Sequence, residues 1–182
     1  LDRLLEAPVR LKINVVVIPG ENDDQLGDFV DLVRSHDVAV RFIEPMPFDG
    51  DSGLAATPID GDVIVERLRE HADLVPHGRA KGDVAETWSA DDLCGTLGVI
   101  RGHTRAFCGD CNRLRLDARG RLRTCLYGNP VADLGAILRG GGHPDRIRAA
   151  IAEAITRRHV DGFVAAASRE HSTHDSMSTI GG

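Results

Sequence analysis

Three cysteines in the second half of the chain have the type and spacing that suit metal chemistry. Cys108, Cys111 and Cys125 form a C-x2-C-x13-C pattern. Four cysteines in 182 residues are too few for a disulfide scaffold, and a C-x-x-C pair favours metal or redox chemistry. Two kinds of site fit the spacing equally well: a structural zinc site completed by a histidine such as His103, or an iron-sulfur cluster with three protein ligands.

The cysteines lie in a stretch that is rich in arginine. Residues 101–125 carry seven arginines and two aspartates, in a chain whose net charge is -6. This local reversal of charge favours an anion site, whereas a protein coated for nucleic acid is usually basic overall; a solvated arginine-rich hairpin fits the charge equally well. Because donors beside a closed zinc site would have no ligand, the arginines favour an open cluster. Cys94 lies in an apolar stretch and is predicted to be buried rather than a ligand.

The segment between Cys111 and Cys125 is predicted to be a β-hairpin that turns at residues 118–120, with Gly120 in the left-handed conformation. This turn pairs residue 117 with 121, 115 with 123 and 113 with 125. Side chains alternate between the faces of a strand, so the pairing predicts one face with thiols and guanidinium groups and one with leucines. The first face holds Cys111, Arg113, Arg115, Arg121, Arg123 and Cys125. The leucines Leu114, Leu116 and Leu122 are predicted to pack on the second face.

The first part of the chain has the pattern of a parallel strand-helix-strand unit. Residues 11–18 and 38–44 are predicted strands, and a helix between them is predicted to start with a capping box of Asn22 and Gln25. Another helix is predicted to start at Thr57-Pro58.

Shorter elements follow, and they indicate a second, smaller unit. Strands are predicted at 84–88 and 96–100 and helices at 131–139 and 144–159. We therefore expect an α/β fold with a domain boundary between residues 77 and 78. No apolar run is long enough to span a membrane, and no signal peptide opens the chain, so the cytoplasm is the expected compartment.

Four segments together resemble the GTP 3',8-cyclase family, also called molybdenum cofactor biosynthesis protein A, of the radical S-adenosylmethionine enzymes. They are FCGDCNRLRLDARGRLRTCL, RFIEPM, LKINVVVI and the terminal Ile180-Gly181-Gly182. The resemblance runs from Leu11 to Gly182 and covers the C-terminal part of the family's sequence. It implies that residues 1–77 are the last strands and helices of an incomplete (β/α) TIM-type barrel. Residues 78–182 would be the molybdenum cofactor synthesis C-terminal domain, a small α+β domain with a 4Fe-4S cluster and a GTP site.

The chemistry implied by the resemblance is the first step of molybdenum cofactor (molybdopterin) biosynthesis. In the complete enzyme, one cluster in the barrel cleaves S-adenosylmethionine to a radical, which takes hydrogen from the ribose C3' of GTP. The carbon radical attacks C8 of guanine and gives (8S)-3',8-cyclo-7,8-dihydroguanosine 5'-triphosphate. A second, C-terminal cluster anchors GTP. The family also implies a homodimer that hands its product to the next enzyme of the pathway, with no nucleic-acid or membrane partner.

The resemblance assigns roles to single residues. The cluster ligands are Cys108, Cys111 and Cys125; the GTP contacts are Lys12, Arg113, Leu114 and Arg115; Met46 contacts S-adenosylmethionine; and Gly181 and Gly182 reach into the active site as catalytic residues. Lys12 alternates with Asn14 on one face of its strand, so a polar face can point into a barrel. Arg41, on the second strand, is a further candidate for the same cavity.

One departure from the family limits what this chain is expected to do. The radical motif C-x3-C-x2-C is absent, because all four cysteines lie at position 94 or later. We therefore expect the chain alone to be inactive, with an exposed strand edge at residues 11–18 that favours aggregation. Two other functions stay open: a zinc module that binds nucleic acid through its arginines, and a stand-alone GTP-binding or regulatory remnant.

Overall fold

The computed structural model describes residues 1–46, 59–102, 104 and 108–168. The described residues up to Thr104 belong to one compact unit, and those from Cys108 onwards belong to a second. None of the described helices combines the length and the apolar character needed to cross a membrane.

The first unit is built on a five-stranded mixed sheet with helices between its strands. Its elements are α1 (Asp2–Leu5), β1 (Lys12–Val16), α2 (Leu26–Ser35), β2 (Ala39–Ile43), α3 (Gly61–Arg69), β3 (Val75–Gly78), β4 (Ala85–Ser89) and β5 (Thr96–Ile100). The strand order is β1-β2-β5-β4-β3. β1, β2 and β5 are parallel, whereas β4 and β3 continue the sheet in antiparallel fashion. The predicted parallel strand-helix-strand unit is therefore confirmed, and the fold is mixed α/β.

The core of the first unit lies between one face of the sheet and helices α2 and α3. Val30 from α2 and Leu68 from α3 are fully buried together with Phe42 of β2 and Val99 of β5. Each such side chain contributes about 1.5–3 kcal/mol when it leaves water. Because strand side chains alternate, the residues between these apolar positions lie on the opposite face of the sheet.

The start of α2 differs from the prediction. Asn22 does not cap the helix: its side-chain oxygen accepts a hydrogen bond from the Ile18 backbone N–H at 2.7 Å, and its amide nitrogen donates to the Val16 carbonyl at 2.9 Å. Gln25 stands at the cap position, but its side chain makes no capping hydrogen bond within the described residues. Asn22 therefore closes the loop that follows β1, since an asparagine side chain bonds to nearby backbone as readily in a turn as at a helix end.

The second unit begins with a 3-10 turn at Cys108–Asp110 and continues as a small sheet packed by helices. Its elements are β6 (Arg115–Leu116), β7 (Arg121–Arg123), β8 (Ala132–Asp133), α4 (Leu134–Arg139), α5 (Pro144–Thr156) and α6 (Gly162–Ala167). The sheet order is β6-β7-β8, with both pairs antiparallel. Its core contains Leu122, Leu134 and Ala154.

The division of the chain into its two units falls later in the sequence than expected. The boundary expected between residues 77 and 78 lies within β3 of the first unit, and the chain divides just before Cys108. β4 and β5, which were expected in the smaller unit, belong to the first sheet because β5 pairs in parallel with β2. That pairing is a long-range contact, which the local pattern of residues 84–100 does not reveal.

Candidate metal centre and anion site

The hairpin that follows the cysteine pair has the predicted register. Arg115 pairs with Arg123 and Leu116 with Leu122. The turn is closed by a hydrogen bond of 2.9 Å from the Gly120 N–H to the Asp117 carbonyl. Gly120 has a φ of +82°, the left-handed conformation on which the prediction depended.

Asp117 is the side chain that fixes the turn. One of its carboxylate oxygens accepts hydrogen bonds of 2.9 Å from the backbone N–H groups of Arg119 and Arg121, and the other accepts one of 2.6 Å from Nε of Arg121. Burial raises the pKa of the Asp117 carboxyl, but the hydrogen bonds from Arg121 and Arg119 outweigh burial, so its pKa lies below the ordinary value. Asp117 therefore acts as an anionic brace of the hairpin.

Gly120 also brings the turn against the first residues of α4. A Cβ atom on Gly120 would lie 2.7 Å from the Cα of Gly135. The Gly135 N–H donates a hydrogen bond of 3.0 Å to the Gly120 carbonyl. The backbones of Gly120 and Gly135 are in direct contact because neither residue has a side chain. The hairpin that carries the arginines therefore packs closely against the start of α4.

The leucine face of the hairpin is only partly buried, contrary to the prediction. Leu122 packs into the core, whereas Leu114 and Leu116 are 40% and 55% exposed. The helices α4 and α5 contact β7, the central strand, and β6 lies at the edge of the sheet. The side chains of the edge strand therefore lack the cover that Leu122 has.

The four cysteines have different surroundings. Cys108 and Cys111 lie at either end of one short turn, where the Cys111 N–H donates to the Cys108 carbonyl at 3.3 Å. Cys125 lies two residues after the end of β7, and all three are half-buried. Cys94 is exposed in the first unit, so the prediction that it is buried is wrong. All four lie in the described part of the chain, and none is in a disulfide there.

The thiol of Cys111 lies in a positive environment. Burial raises the pKa of this thiol. Other interactions lower it by more: a hydrogen bond from the Arg113 backbone, the charge and a hydrogen bond of Arg158, and a hydrogen bond from the Arg113 side chain. The net pKa of the Cys111 thiol is therefore below its ordinary value, which favours the thiolate that binds metals. Sequence reasoning missed Arg158, which follows α5 and is far from the cysteine motif in sequence. A basic residue at a helix C-terminus usually complements the helix dipole, so its type gave no signal.

The arginines of the hairpin differ in how far their hydrogen-bond donors are satisfied. Arg121 is bonded to Asp117, and Arg123 is buried and donates to the Gly128 carbonyl at 2.6 Å. Arg113 has a buried Nη1 atom without a hydrogen-bond partner among the described residues, and the buried Nε atom of Arg123 is in the same condition although the Nη1 of Arg123 is bonded. A buried guanidinium N–H without a partner is costly, and an anionic or carbonyl oxygen of a ligand would satisfy it.

The part of the chain that the structure describes does not gather ligands around a single ion. Among the residues that it describes, no three histidine, cysteine, aspartate or glutamate side chains are placed to hold one metal ion. His103 lies outside the described residues, as do the predicted catalytic residues Gly181 and Gly182.

In the first unit, the predicted polar face is present on the sheet. Lys12 and Asn14 are exposed, and Asn14 pairs in register with Arg41 and Arg41 with Gly98. A Cβ on Gly98 would lie 3.3 Å from the Cγ of Arg41, so the glycine leaves room for the arginine side chain. These polar side chains share the face opposite the helices.

Met46 lies just beyond β2 in a closely packed setting. A Cβ on Gly102 would lie 2.6 Å from Cγ and 3.1 Å from Sδ of Met46. Nearby, the fully buried carboxylate of Glu44 accepts hydrogen bonds from the Gly61 N–H at 2.7 Å and the Thr104 N–H at 2.8 Å. Glu44 thus ties the end of β2 to the start of α3, a role that sequence reasoning missed.

The fold and the cysteine-arginine hairpin define a mixed α/β protein with a cysteine-containing C-terminal unit. The family model described as Molybdenum Cofactor Synthesis C matches residues 38–163, and the chain belongs to this family.

Curated relatives agree with the family match. The chain is 36% identical over 191 residues to the GTP 3',8-cyclase of Chlorobaculum tepidum, which covers 100% of this chain and 55% of the relative. It is 36% identical over 152 residues to the mitochondrial GTP 3',8-cyclase of Arabidopsis thaliana, covering 81% of the chain and 38% of the relative. It is also 34% identical to molybdenum cofactor biosynthesis protein 1 of Bos taurus over 81% of the chain and 24% of the relative. The resemblance to the family is therefore confirmed, and the chain spans about half the length of the bacterial relative.

Proposed function

We propose that this chain is the substrate-binding C-terminal part of a GTP 3',8-cyclase and works in molybdenum cofactor biosynthesis. The reaction of the complete enzyme would convert GTP into (8S)-3',8-cyclo-7,8-dihydroguanosine 5'-triphosphate. Support comes from the family match and from the names of the relatives.

The metal ligands in this proposal are Cys108, Cys111 and Cys125, which hold a 4Fe-4S cluster. Cysteine thiolates are the usual ligands of iron-sulfur clusters, and these three thiols are half-buried. The lowered pKa of the Cys111 thiol favours the thiolate form that binds iron. When bound, a cluster with three cysteine ligands supplies one iron with an open coordination position for the purine ring of the substrate. The chain's own residues then have to hold and orient the nucleotide.

The observation that carries the proposal is the buried Nη1 atom of Arg113, which has no hydrogen-bond partner within the described residues. It lies on the side chain that also contacts the Cys111 thiol, so a nucleotide held at the cysteines would bring acceptor oxygens to it. Arg113, Leu114 and Arg115 are the proposed GTP contacts of the second unit. Holding the base and the phosphates in one orientation is how such a site would favour ring closure at the ribose.

The first unit has a separate part in this proposal. Its three parallel strands, with helices on one face and polar side chains on the other, would be the last strands of an incomplete (β/α) barrel. Lys12 on the polar face is a proposed GTP contact, and Met46 is a proposed contact of S-adenosylmethionine. Gly181 and Gly182, outside the described residues, are the proposed catalytic tail.

The complete enzyme would need more than this chain provides. S-adenosylmethionine and a second 4Fe-4S cluster belong to the proposal for the whole protein, as do a homodimer and the transfer of product to the next enzyme. Because the sequence has no C-x3-C-x2-C motif, we expect this chain alone not to turn over GTP.

The proposal is tested by GTP binding to the anaerobically reconstituted chain, measured by calorimetry. Arg113→Ala should weaken GTP binding about tenfold or more, because a hydrogen bond to a charged group contributes about 1.5–3 kcal/mol. Arg119→Ala is the matched control, since Arg119 is exposed in the turn of the same hairpin. Equal affinities of the wild-type chain and both variants would contradict the proposed GTP site.

A further inference from the structure

Arg123 is a buried arginine beside a proposed metal ligand. Its side chain is 1% exposed, between the buried residues Leu122 and Thr124 and two positions before Cys125. Burying an arginine is costly unless its donors find acceptors. The acceptor identified here is the Gly128 carbonyl, which receives a hydrogen bond of 2.6 Å from Nη1.

That hydrogen bond closes the turn that carries Cys125. The Gly128 N–H donates to the Cys125 carbonyl at 3.4 Å, a longer bond that closes residues 125–128. Tyr127 and Gly128 are buried, whereas Cys125 is half-buried. Arg123 therefore holds the turn from its buried side, whereas Cys125 is partly exposed.

We propose that Arg123 is a positioning residue of the metal centre, which holds the turn 125–128 so that the Cys125 thiolate points to the metal. The inference rests on the proposed function, because it takes Cys125 as a ligand. It goes beyond the ligand set, since Arg123 would act through its hydrogen bond to the backbone of the turn and not as a ligand. Residues that orient metal ligands in this way commonly change metal affinity about 10–100-fold when replaced.

The test compares Arg123→Gln, Arg123→Lys and the control Arg119→Gln in the full chain. Each protein is reconstituted anaerobically with iron and sulfide, and the rate of iron loss to a chelator is measured. Far-UV circular dichroism establishes that each variant is folded. In the metal-free proteins, alkylation of Cys125 and Cys108 by iodoacetamide is followed by peptide mass spectrometry.

We expect Arg123→Gln to lose iron about tenfold or more faster than the wild-type chain, and Arg123→Lys, which keeps the charge and a donor, about threefold faster. Alkylation of Cys125 should rise about fivefold in Arg123→Gln while that of Cys108 stays unchanged, because only the Cys125 turn loosens. Arg119→Gln should match the wild-type chain in both measurements. If Arg123→Gln does not fold, the same comparisons are made with Arg123→Lys.

The outcomes separate this inference from the proposed function. Wild-type rates of iron loss and of Cys125 alkylation in the folded Arg123 variants would overturn the positioning role and leave the cluster proposal intact. A wild-type chain that takes up no iron and sulfide would contradict the cluster proposal, and the alkylation of Cys125 would then decide the role of Arg123 alone.

Discussion

Replacing Gly120 by alanine should destabilise the second unit through two separate effects. The first is conformational, because an alanine at a φ of +82° costs about 1–2 kcal/mol. The second is steric, because the new Cβ would lie 2.7 Å from the Cα and 2.8 Å from the N of Gly135, both backbone atoms. Such overpacking costs about 1–3 kcal/mol, so we expect a total loss of about 2–5 kcal/mol.

Gly141 provides the matched control for the steric effect. It has a φ of +70°, and a Cβ there would meet no atom within 4 Å. Gly141→Ala should therefore show the conformational cost alone, about 1–2 kcal/mol. Both glycines lie in the second unit, so the difference between the two variants isolates the close approach of the hairpin to α4.

The assay is urea unfolding followed by the near-UV signal of Tyr127, the only tyrosine of the chain, which is buried in the second unit. With a dependence of about 1 kcal/mol per molar urea, each lost kcal/mol lowers the midpoint by about 1 M. Gly120→Ala should have the lower midpoint and should also retain less iron, because the hairpin carries the proposed ligand Cys125. Equal midpoints for the two variants would refute the reasoning about Gly135.

Three further changes should affect the second unit in different ways. Asp117→Asn should lower the stability of the second unit by about 1–3 kcal/mol at pH 7. The folded-state pKa of Asp117 is lowered, so its stabilisation exists above the unfolded pKa of about 3.9. The difference in stability between variant and wild type should shrink as pH falls through the lower, folded-state pKa. Arg158→Gln should raise the pKa of the Cys111 thiol in the metal-free protein, so the pH profile of its alkylation moves to higher pH. Leu122→Ala should cost about 2–5 kcal/mol in urea unfolding, because it leaves a cavity in the core.

Two of these changes have a control variant at another position of the second unit. Arg157→Gln should leave the alkylation profile of Cys111 unchanged, since Arg157 pairs with Glu153 on the surface. Leu116→Ala should cost about 0.5 kcal/mol or less, because Leu116 is 55% exposed. An effect of Asp117→Asn on stability that does not depend on pH would contradict the argument about Asp117. The argument about Arg158 fails if Arg157→Gln shifts the alkylation profile of Cys111 as far as Arg158→Gln does. Equal losses of stability in Leu122→Ala and Leu116→Ala would contradict the argument about burial.

The hairpin was predictable from the sequence because its determinants are local. Gly120 fixes the turn, and alternation along the strands then fixes the pairing of Arg115 with Arg123. Burial was not predictable from the same pattern. Leu122 is covered and Leu116 is not, because cover depends on where α4 and α5 pack.

Long-range contacts account for the other differences. The pairing of β5 with β2 places residues 96–100 in the first sheet, although their pattern is equally typical of a separate antiparallel unit. Arg158 reaches Cys111 only through the packing of the second unit. The local functional pattern was therefore more predictable than the neighbours that tune it.

The proposed cluster is tested most directly by the metal and sulfide content of the wild-type chain after anaerobic reconstitution with iron, sulfide and zinc all supplied. We predict about four iron and four sulfide per chain, with broad visible absorbance that is lost in Cys125→Ala. One zinc per chain without sulfide or colour would contradict the cluster and favour a structural zinc site.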